Sequence, residues 1–270
     1  MTLLPHIQRD QPPGVPPLTL TGERTLPDVP AENYWFRRHL AVYEWIGHRV
    51  GGLHVVDMAC GEGCGAEVLA RSAETVIGVE ANPAAFEHAR LRYARPGLSF
   101  QRAMGELWGE PGAWDAVTLL QTIEHISDPQ ALLAHIGEIL APGGVAYIST
   151  PNLLTLAPAG AQKSDNPWHL REYRAYEFRK LCESVFGSVE IWGVYHARRL
   201  LAHDLALALG WDRMHRGLRL TRPFYIRFAP VVSSSDFRLW IDRPLYRALD
   251  FLAVCSDATG NAAVAASAAS

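Results

Sequence analysis

The chain has 270 residues, with 25 Lys plus Arg against 28 Asp plus Glu, a formal charge of −3 and 49% hydrophobic residues. That composition can bury one sizeable core and excludes a disordered chain, and the near-neutral balance argues against a nucleic-acid binder that works by net charge. No run of about 18 apolar residues is present, so no transmembrane helix is expected, and the opening residues lack the basic-then-apolar pattern of a secretory signal. Cys60, Cys64, Cys182 and Cys255 make neither a C-x-x-C pair nor a zinc spacing, which fits a reduced, cytoplasmic protein.

Residues 1–30 hold seven of the 18 prolines. Proline blocks helix interiors, so this stretch reads as a flexible or extended arm. A short apolar run, His54 to Ala59, then enters a glycine cluster, and Gly65 to Ser72 reads as a helix. Val76 to Glu80 is a second strand. Pro83 sits where a first helical turn tolerates it, ahead of Ala84 to Tyr93. Leu98 to Arg102 and Trp114 to Leu120 are strands and Pro129 to Leu140 a helix, after which Pro142-Gly143-Gly144 opens the strand Val145 to Ser149. Tyr176 to Phe186 reads as a helix, and Val189 to Tyr195 and Phe251 to Cys255 as the last strands. Strands alternating with helices predict a doubly wound, mostly parallel, seven-stranded α/β sheet over residues 31–257. The segment of about residues 196–247 is too long for a simple connection and reads as an inserted helical cap, with Arg198 to Leu209 its clearest helix. Residues 258–270, rich in alanine, read as a disordered tail.

The strongest motif is Asp57-Met58-Ala59-Cys60-Gly61-Glu62-Gly63-Cys64-Gly65-Ala66, between a strand and a helix. Its glycines let a ligand approach the backbone, and Glu80, at the end of the next strand, can accept two ribose hydroxyls. Gly61-x-Gly63-x-x-Ala66 also fits a dinucleotide fingerprint. A pyrophosphate would then meet Glu62 and Asp57, anion against anion. S-adenosylmethionine carries a sulfonium and an ammonium and no phosphate, so it is favoured over NAD.

With this loop in place, the chain resembles the class I S-adenosylmethionine-dependent methyltransferases over about residues 30–195. Val55 to Ala66 looks like their first motif and Gly78-Val79-Glu80-Ala81-Asn82 like the ribose strand. Gln121-Thr122-Ile123-Glu124-His125 looks like the loop after the fourth strand, and Leu140-Ala141-Pro142-Gly143-Gly144 and Ser149-Thr150-Pro151-Asn152 complete the series. The resemblance implies a Rossmann-like methyltransferase fold and a cofactor site. In that site Asp57, Ala59, Gly61 and Gly63 line the methionine end, Glu80 and Ala81 hold the ribose, and Gln121 lies beyond the loop. The family often has an aspartate near position 104 for the adenine. Here the phrase is Ala103-Met104-Gly105-Glu106, so the contact falls to Met104, Gly105 and Glu106. A narrower resemblance, in Leu18 to Pro27, Glu32 to His39 and Asn166-Pro167-Trp168-His169-Leu170-Arg171-Glu172, is to actinobacterial methyltransferases of methylated glucose polysaccharide synthesis and related glycan enzymes.

Methyl transfer to an aliphatic hydroxyl benefits from a base near neutral pKa, which points to histidine. His125 and His169 both fall at the carboxyl edge of the expected sheet and are the candidate bases. Asn152, Asn166, Trp168 and Arg171 are the candidate acceptor contacts, in a cleft expected between the 152–174 loop and the cap. Tyr34 could cover the cofactor and Arg38 hold its carboxylate; packing of this helix is the competing reading. No metal site is expected. From Ala197 to Pro230 seven arginines face two aspartates, a basic patch suited to an anionic lipid surface or an acidic partner. The expected activity is methylation of a sugar hydroxyl. A small phenolic, quinone-like or natural-product acceptor, and a cofactor-binding pseudoenzyme, are the alternatives.

Overall fold

The computed structural model describes residues 5–20, 24–158, 160–208 and 227–258. A two-stranded ribbon, β1 (Pro5–His6) and β2 (Leu18–Thr19), leads to helix α1 (Asn33–Gly47). Five strands then alternate with helices: β3 (His54–Met58), α2 (Cys64–Leu69), β4 (Thr75–Val79), α3 (Pro83–Arg92), β5 (Leu98–Gln101), β6 (Trp114–Leu120), α4 (Pro129–Ile139) and β7 (Leu140–Pro151). The short α5 (Leu153–Leu156), α6 (Ala175–Glu183), β8 (Phe186–His196), α7 (Arg198–Ala208), β9 (Phe237–Trp240) and β10 (Asp250–Ala258) follow.

The main sheet has the order β5-β4-β3-β6-β7-β10-β8-β9. From β5 to β7 all neighbours are parallel, while β10 runs antiparallel to both β7 and β8. Unbroken apolar strands of this kind must be covered on both faces. Val56, Val117 and Leu119 pack toward Leu132, Leu133 and Ile136 of α4, while Val55 and Ala116 share the opposite core with Val42 and Ile46 of α1. Proline positions α3 and α4 as expected: Asn82 caps α3 by accepting from the N–H groups of Ala84 and Ala85, and Asp128 caps α4 by accepting from Ala131 N–H. Winding runs outward from β3 to β5 and then restarts at β6, so the topological switch lies at the carboxyl ends of β3 and β6, where open parallel sheets bind ligands.

Four expectations are corrected. The sheet has eight strands, because part of the region read as cap forms β9 and pairs antiparallel with β8. Buried Phe237 explains this, since it packs 5.4 Å from the Tyr34 ring and needs a sheet edge beside α1. The N-terminal arm is a folded ribbon, with Leu18, Leu26 and Val29 forming a small core of their own. Pro142-Gly143-Gly144 lies inside β7, which starts at Leu140 and pairs with Trp114 across a bulge, with Gly143 at φ 80°. Ala258 belongs to β10, and 259–270 lie outside the described residues. The basic run Arg213 to Arg222, and Leu209 at the expected end of α7, also lie outside them. Arg198 and Arg199 are exposed and bond Ser235 Oγ at 3.0 Å and the Val231 carbonyl at 2.7 Å. Among the described residues no helix is long and apolar enough to cross a membrane, and the four cysteines are unbridged.

Arg38 and Asp250 join α1 to the start of β10. The Arg38 guanidinium bonds both Asp250 carboxylate oxygens and, at 2.9 Å, the Leu249 carbonyl. Both residues are buried. Removing one partner strands a charge out of water, so Asp250→Ala should lower unfolding free energy by roughly 3–5 kcal/mol in a urea titration. Replacing both residues by apolar ones of similar volume should cost far less than either single change.

Candidate active site

The glycine loop leaves β3 with three residues in the left-handed region, Ala59 at φ 53°, Gly61 at φ 59° and Gly63 at φ 91°. The glycines have different tasks. A Cβ on Gly61 would meet nothing within 4 Å, so that backbone faces open space where a ligand can approach. A Cβ on Gly63 would stand 2.8 Å from Ala89 and 2.9 Å from the Phe100 ring, and one on Gly65 2.1 Å from the Tyr43 ring. Gly63 and Gly65 are therefore required by packing.

Glu80 fastens this loop. Its Oε2 accepts from Gly61 N–H at 2.9 Å and its Oε1 from Asn82 N–H at 2.8 Å. Asp57 is fully buried below it. Asp57 Oδ1 accepts from Thr118 Oγ1 at 2.6 Å and from the Tyr43 hydroxyl at 3.2 Å, and Oδ2 is buried without a hydrogen-bond partner among the described residues. Burial pushes the Asp57 carboxyl up to about 7, against the two hydroxyl donors. Glu62, 6% exposed, is likewise pushed up to about 7 by burial. Ala81 is exposed, Met104 is 54% exposed, and Gly105 and Glu106 form a short turn beside Met58; these positions make an accessible shelf past the ends of β4 and β5. Gln121, at φ 51°, hydrogen-bonds Ser149 Oγ through both its backbone and side-chain nitrogens.

A histidine corner stands at the end of β6. His125 Nδ1 donates to the Trp168 carbonyl at 2.9 Å, so Nε2 is the basic nitrogen of the neutral ring. The His125 and His169 rings meet edge to face with centroids 5.1 Å apart. His169 Nδ1 donates to Glu172 Oε1 at 2.7 Å, and its Nε2 accepts from Asn166 Nδ2 at 3.0 Å. Burial opposes ionisation of Glu172, yet the hydrogen bonds from Ser164 and His169 hold it below the usual carboxylate range. Glu124 is buried, accepts from Thr150 Oγ1 at 3.2 Å, and is pushed up to about 8 by burial. One ligand atom from each of Glu124, His125 and His169 lies within 4.8 Å of the others. Both His169 nitrogens are engaged, by Glu172 and Asn166, so a cation there would have to displace one of those bonds and the proton that burial keeps on Glu124.

A cleft of about 780 Å³ opens between the glycine loop and this corner. Ala59, Gly61, Glu62, Gln121, His125, Asn166 and His169 line it. So do Arg24, Thr25, Glu32, Trp35, Phe36 and His39, most of which sequence reasoning passed over. Trp35 and Phe36 had an aromatic signal; Arg24, Thr25 and His39 had none, because their approach depends on how the N-terminal ribbon folds back. Burial lowers the His39 pKa to about 4, so it is neutral across the physiological range. The cleft was expected between the 152–174 loop and the cap. It lies instead between that loop and α1, and no described cap residue lines it.

Several candidates serve the fold. Tyr34 turns away from the cleft and donates its hydroxyl to His196 Nε2 at 2.7 Å. Arg38 lines the cleft but commits its guanidinium to Asp250. Asn152 is fully buried, its amide donating to the Ala248 carbonyl at 2.7 Å and its oxygen accepting from Leu154 N–H. Arg171 lies 5.2 Å over the Tyr173 ring. Asn166 uses its oxygen on Trp168 N–H at 3.0 Å and its nitrogen on His169. Trp168 is 47% exposed.

A doubly wound sheet with a glycine loop, a strand-end carboxylate and a cleft at its switch point defines a Rossmann-like nucleoside-binding class. Residues 32–191 match the model of a family described as a methyltransferase domain. A protein named "Probable S-adenosylmethionine-dependent methyltransferase" from Mycolicibacterium smegmatis is 40% identical over 188 residues, 69% of this chain and 72% of that one. A ubiquinone biosynthesis O-methyltransferase of Albidiferax ferrireducens is 32% identical over 159 residues, 53% of this chain and 63% of its own length. A solved S-adenosylmethionine-dependent methyltransferase from Thermotoga maritima has a TM-score of 0.57 at 15% identity, covering 84% of this chain and 94% of that one, a likeness of fold. The chain belongs to the S-adenosylmethionine-dependent methyltransferases, and S-adenosylmethionine is its cofactor.

The residues present fit that group. The unpartnered Asp57 oxygen and the desolvated carboxyl of Glu62 favour a cationic ligand over a phosphate, the open face of Gly61 admits it, and Glu80 is placed to accept from ribose hydroxyls. When bound, the cofactor supplies a methyl carbon activated by its sulfonium. Glu80→Ala should weaken cofactor binding by roughly 1–3 kcal/mol in calorimetry, through lost ribose bonds and a loosened Gly61. The raised carboxyls also set a pH dependence. Asp57 and Glu62 keep protons in the folded state that the unfolded chain releases near pH 4. Without cofactor, stability should therefore fall as pH rises from about 4 to 7, and Asp57→Asn should flatten that slope in thermal melts.

Proposed function

We propose that this enzyme methylates a hydroxyl of a sugar in an oligo- or polysaccharide. The observation that carries the reading is the bond from His125 to the Trp168 carbonyl, which ties the histidine on the cleft wall to the segment that bears an exposed indole. An exposed indole offers the flat apolar face that a sugar ring packs against, and the fixed tautomer directs a basic nitrogen to an acceptor hydroxyl. His125 takes the acceptor's proton. His169, whose ring meets that of His125 edge to face, is the second candidate. Likeness to the ubiquinone biosynthesis O-methyltransferase supports oxygen as the accepting atom. A smaller phenolic acceptor is favoured by a different observation, the aromatic and aliphatic wall of Trp35, Phe36, Leu40, Tyr43 and Leu156.

Supplying purified protein with methyl-labelled cofactor and panels of oligosaccharides and phenols decides between the two. The expected result is label on an oligosaccharide, with His125→Ala lowering kcat about 10²–10⁴-fold and cofactor affinity little changed. Trp168→Ala should raise the acceptor KM while leaving the cofactor Kd alone. Label on phenols alone would overturn the sugar reading, and undiminished turnover in His125→Ala would remove the base.

A further inference from the structure

The end of α3 is tied in two directions by consecutive residues. Arg92 holds the N-terminal ribbon: its Nε donates to Gln8 Oε1 at 3.3 Å, and its two terminal nitrogens donate to the carbonyls of Asp10 at 3.1 Å and Arg9 at 3.2 Å. Tyr93 holds the glycine loop, its hydroxyl donating to Glu62 Oε2 at 3.0 Å. Gln8 closes the circuit. It is 3% exposed, its backbone N–H donates to Gln11 Oε1, and its amide Nε2 lies 3.5 Å from the same Glu62 oxygen.

Glu62 stands between two glycines at positive φ and lines the cleft. Glycine has weak conformational preference of its own, so the loop's shape depends on what anchors the residue between them. Here the anchor is a buried side chain gripped from two other segments. Ordering a loop before its ligand arrives removes that ordering entropy from the cost of binding.

We propose that Gln8 and Tyr93 are positioning residues for the cofactor: by fixing the Glu62 carboxyl from two sides they hold the glycine loop in its receiving shape, which makes the N-terminal ribbon part of the cofactor site. The ribbon is itself well fastened. His6 Nε2 donates to the Pro27 carbonyl at 2.9 Å, Arg9 N–H to Asp28 at 2.8 Å, and His88 Nδ1 to the Pro16 carbonyl at 2.7 Å. The same segment continues into Arg24, Thr25 and Glu32 on the cleft wall. One stretch of chain thus touches the cofactor loop at one end and the acceptor side at the other.

Calorimetry of the full chain with S-adenosylmethionine tests this. Gln8→Ala and Tyr93→Phe should each weaken binding about 3- to 10-fold, the factor for an ordinary hydrogen bond. In a Glu62→Ala background neither change should weaken it further, and Glu62→Gln, whose carbonyl still accepts from Tyr93, should bind better than Glu62→Ala. Unchanged affinity in both single variants would overturn the proposal, and so would losses that add in full on top of Glu62→Ala, because packing alone would then account for them. Hydrogen exchange serves as the second readout should Glu62→Ala not fold: without cofactor, amides of residues 60–65 should exchange faster in Tyr93→Phe than in the parent, and equal rates would overturn the proposal as well.

Discussion

Carboxyl groups held out of water govern this site. Asp57, Glu62 and Glu124 are all buried at the carboxyl edge of the sheet, and burial raises each toward or above neutrality. Hydroxyls and an amide, from Thr118, Tyr43, Tyr93, Thr150 and Gln8, donate to them, and backbone groups add to those at Glu62 and Glu124. No ion pair joins any of the three to a described residue. Such groups are costly to ionise in an empty protein, and a phosphate arriving beside them would raise that cost further. A sulfonium and an ammonium arriving together relieve that cost, which is why this glycine loop suits S-adenosylmethionine although its spacing also fits a dinucleotide.

The rest of the fold places these groups. Parallel strands β3 and β6 bring Asp57 opposite Thr118 in register, and the switch in winding leaves a crevice at their ends. Gly63 lets the start of α2 approach Ala89 of α3 and Phe100, and Gly65 lets α2 approach Tyr43 of α1. On the far side of the cleft the 162–172 loop is braced by Glu172, which takes both Ser164 and His169, while the Glu124 carbonyl accepts from the N–H groups of Leu170 and Arg171. His125, the last residue of the helical turn Ile123–His125, therefore sits on a corner braced from the loop it faces.

Much of this was legible in the sequence. The β3–glycine loop–α2 unit, the proline-capped α3 and α4, and Glu80 at a strand end follow from local rules: periodicity, positive-φ glycines and caps. His125 stood out by its place after a strand and His169 by its place in the loop beyond the next one; that their rings touch was not legible. What escaped depends on long-range pairing. The ribbon looked like a flexible arm because proline content reports what cannot form and is silent on partners such as Arg92 and His88. Arg38 looked like a cofactor clamp because its partner, Asp250, lies 212 positions away. Asn152 looked like an acceptor contact, but burial turned its amide to the Ala248 carbonyl. β9 was hidden in a stretch too long to parse, since a four-residue edge strand carries little periodic signal.

If desolvated carboxyls select the cofactor, its binding must expel protons from them. Calorimetry at pH 7 in two buffers of different ionisation enthalpy measures this directly. The account predicts net proton release when S-adenosylmethionine binds the parent chain, reduced in Asp57→Asn. Binding with no proton exchange, or with proton uptake, would contradict it.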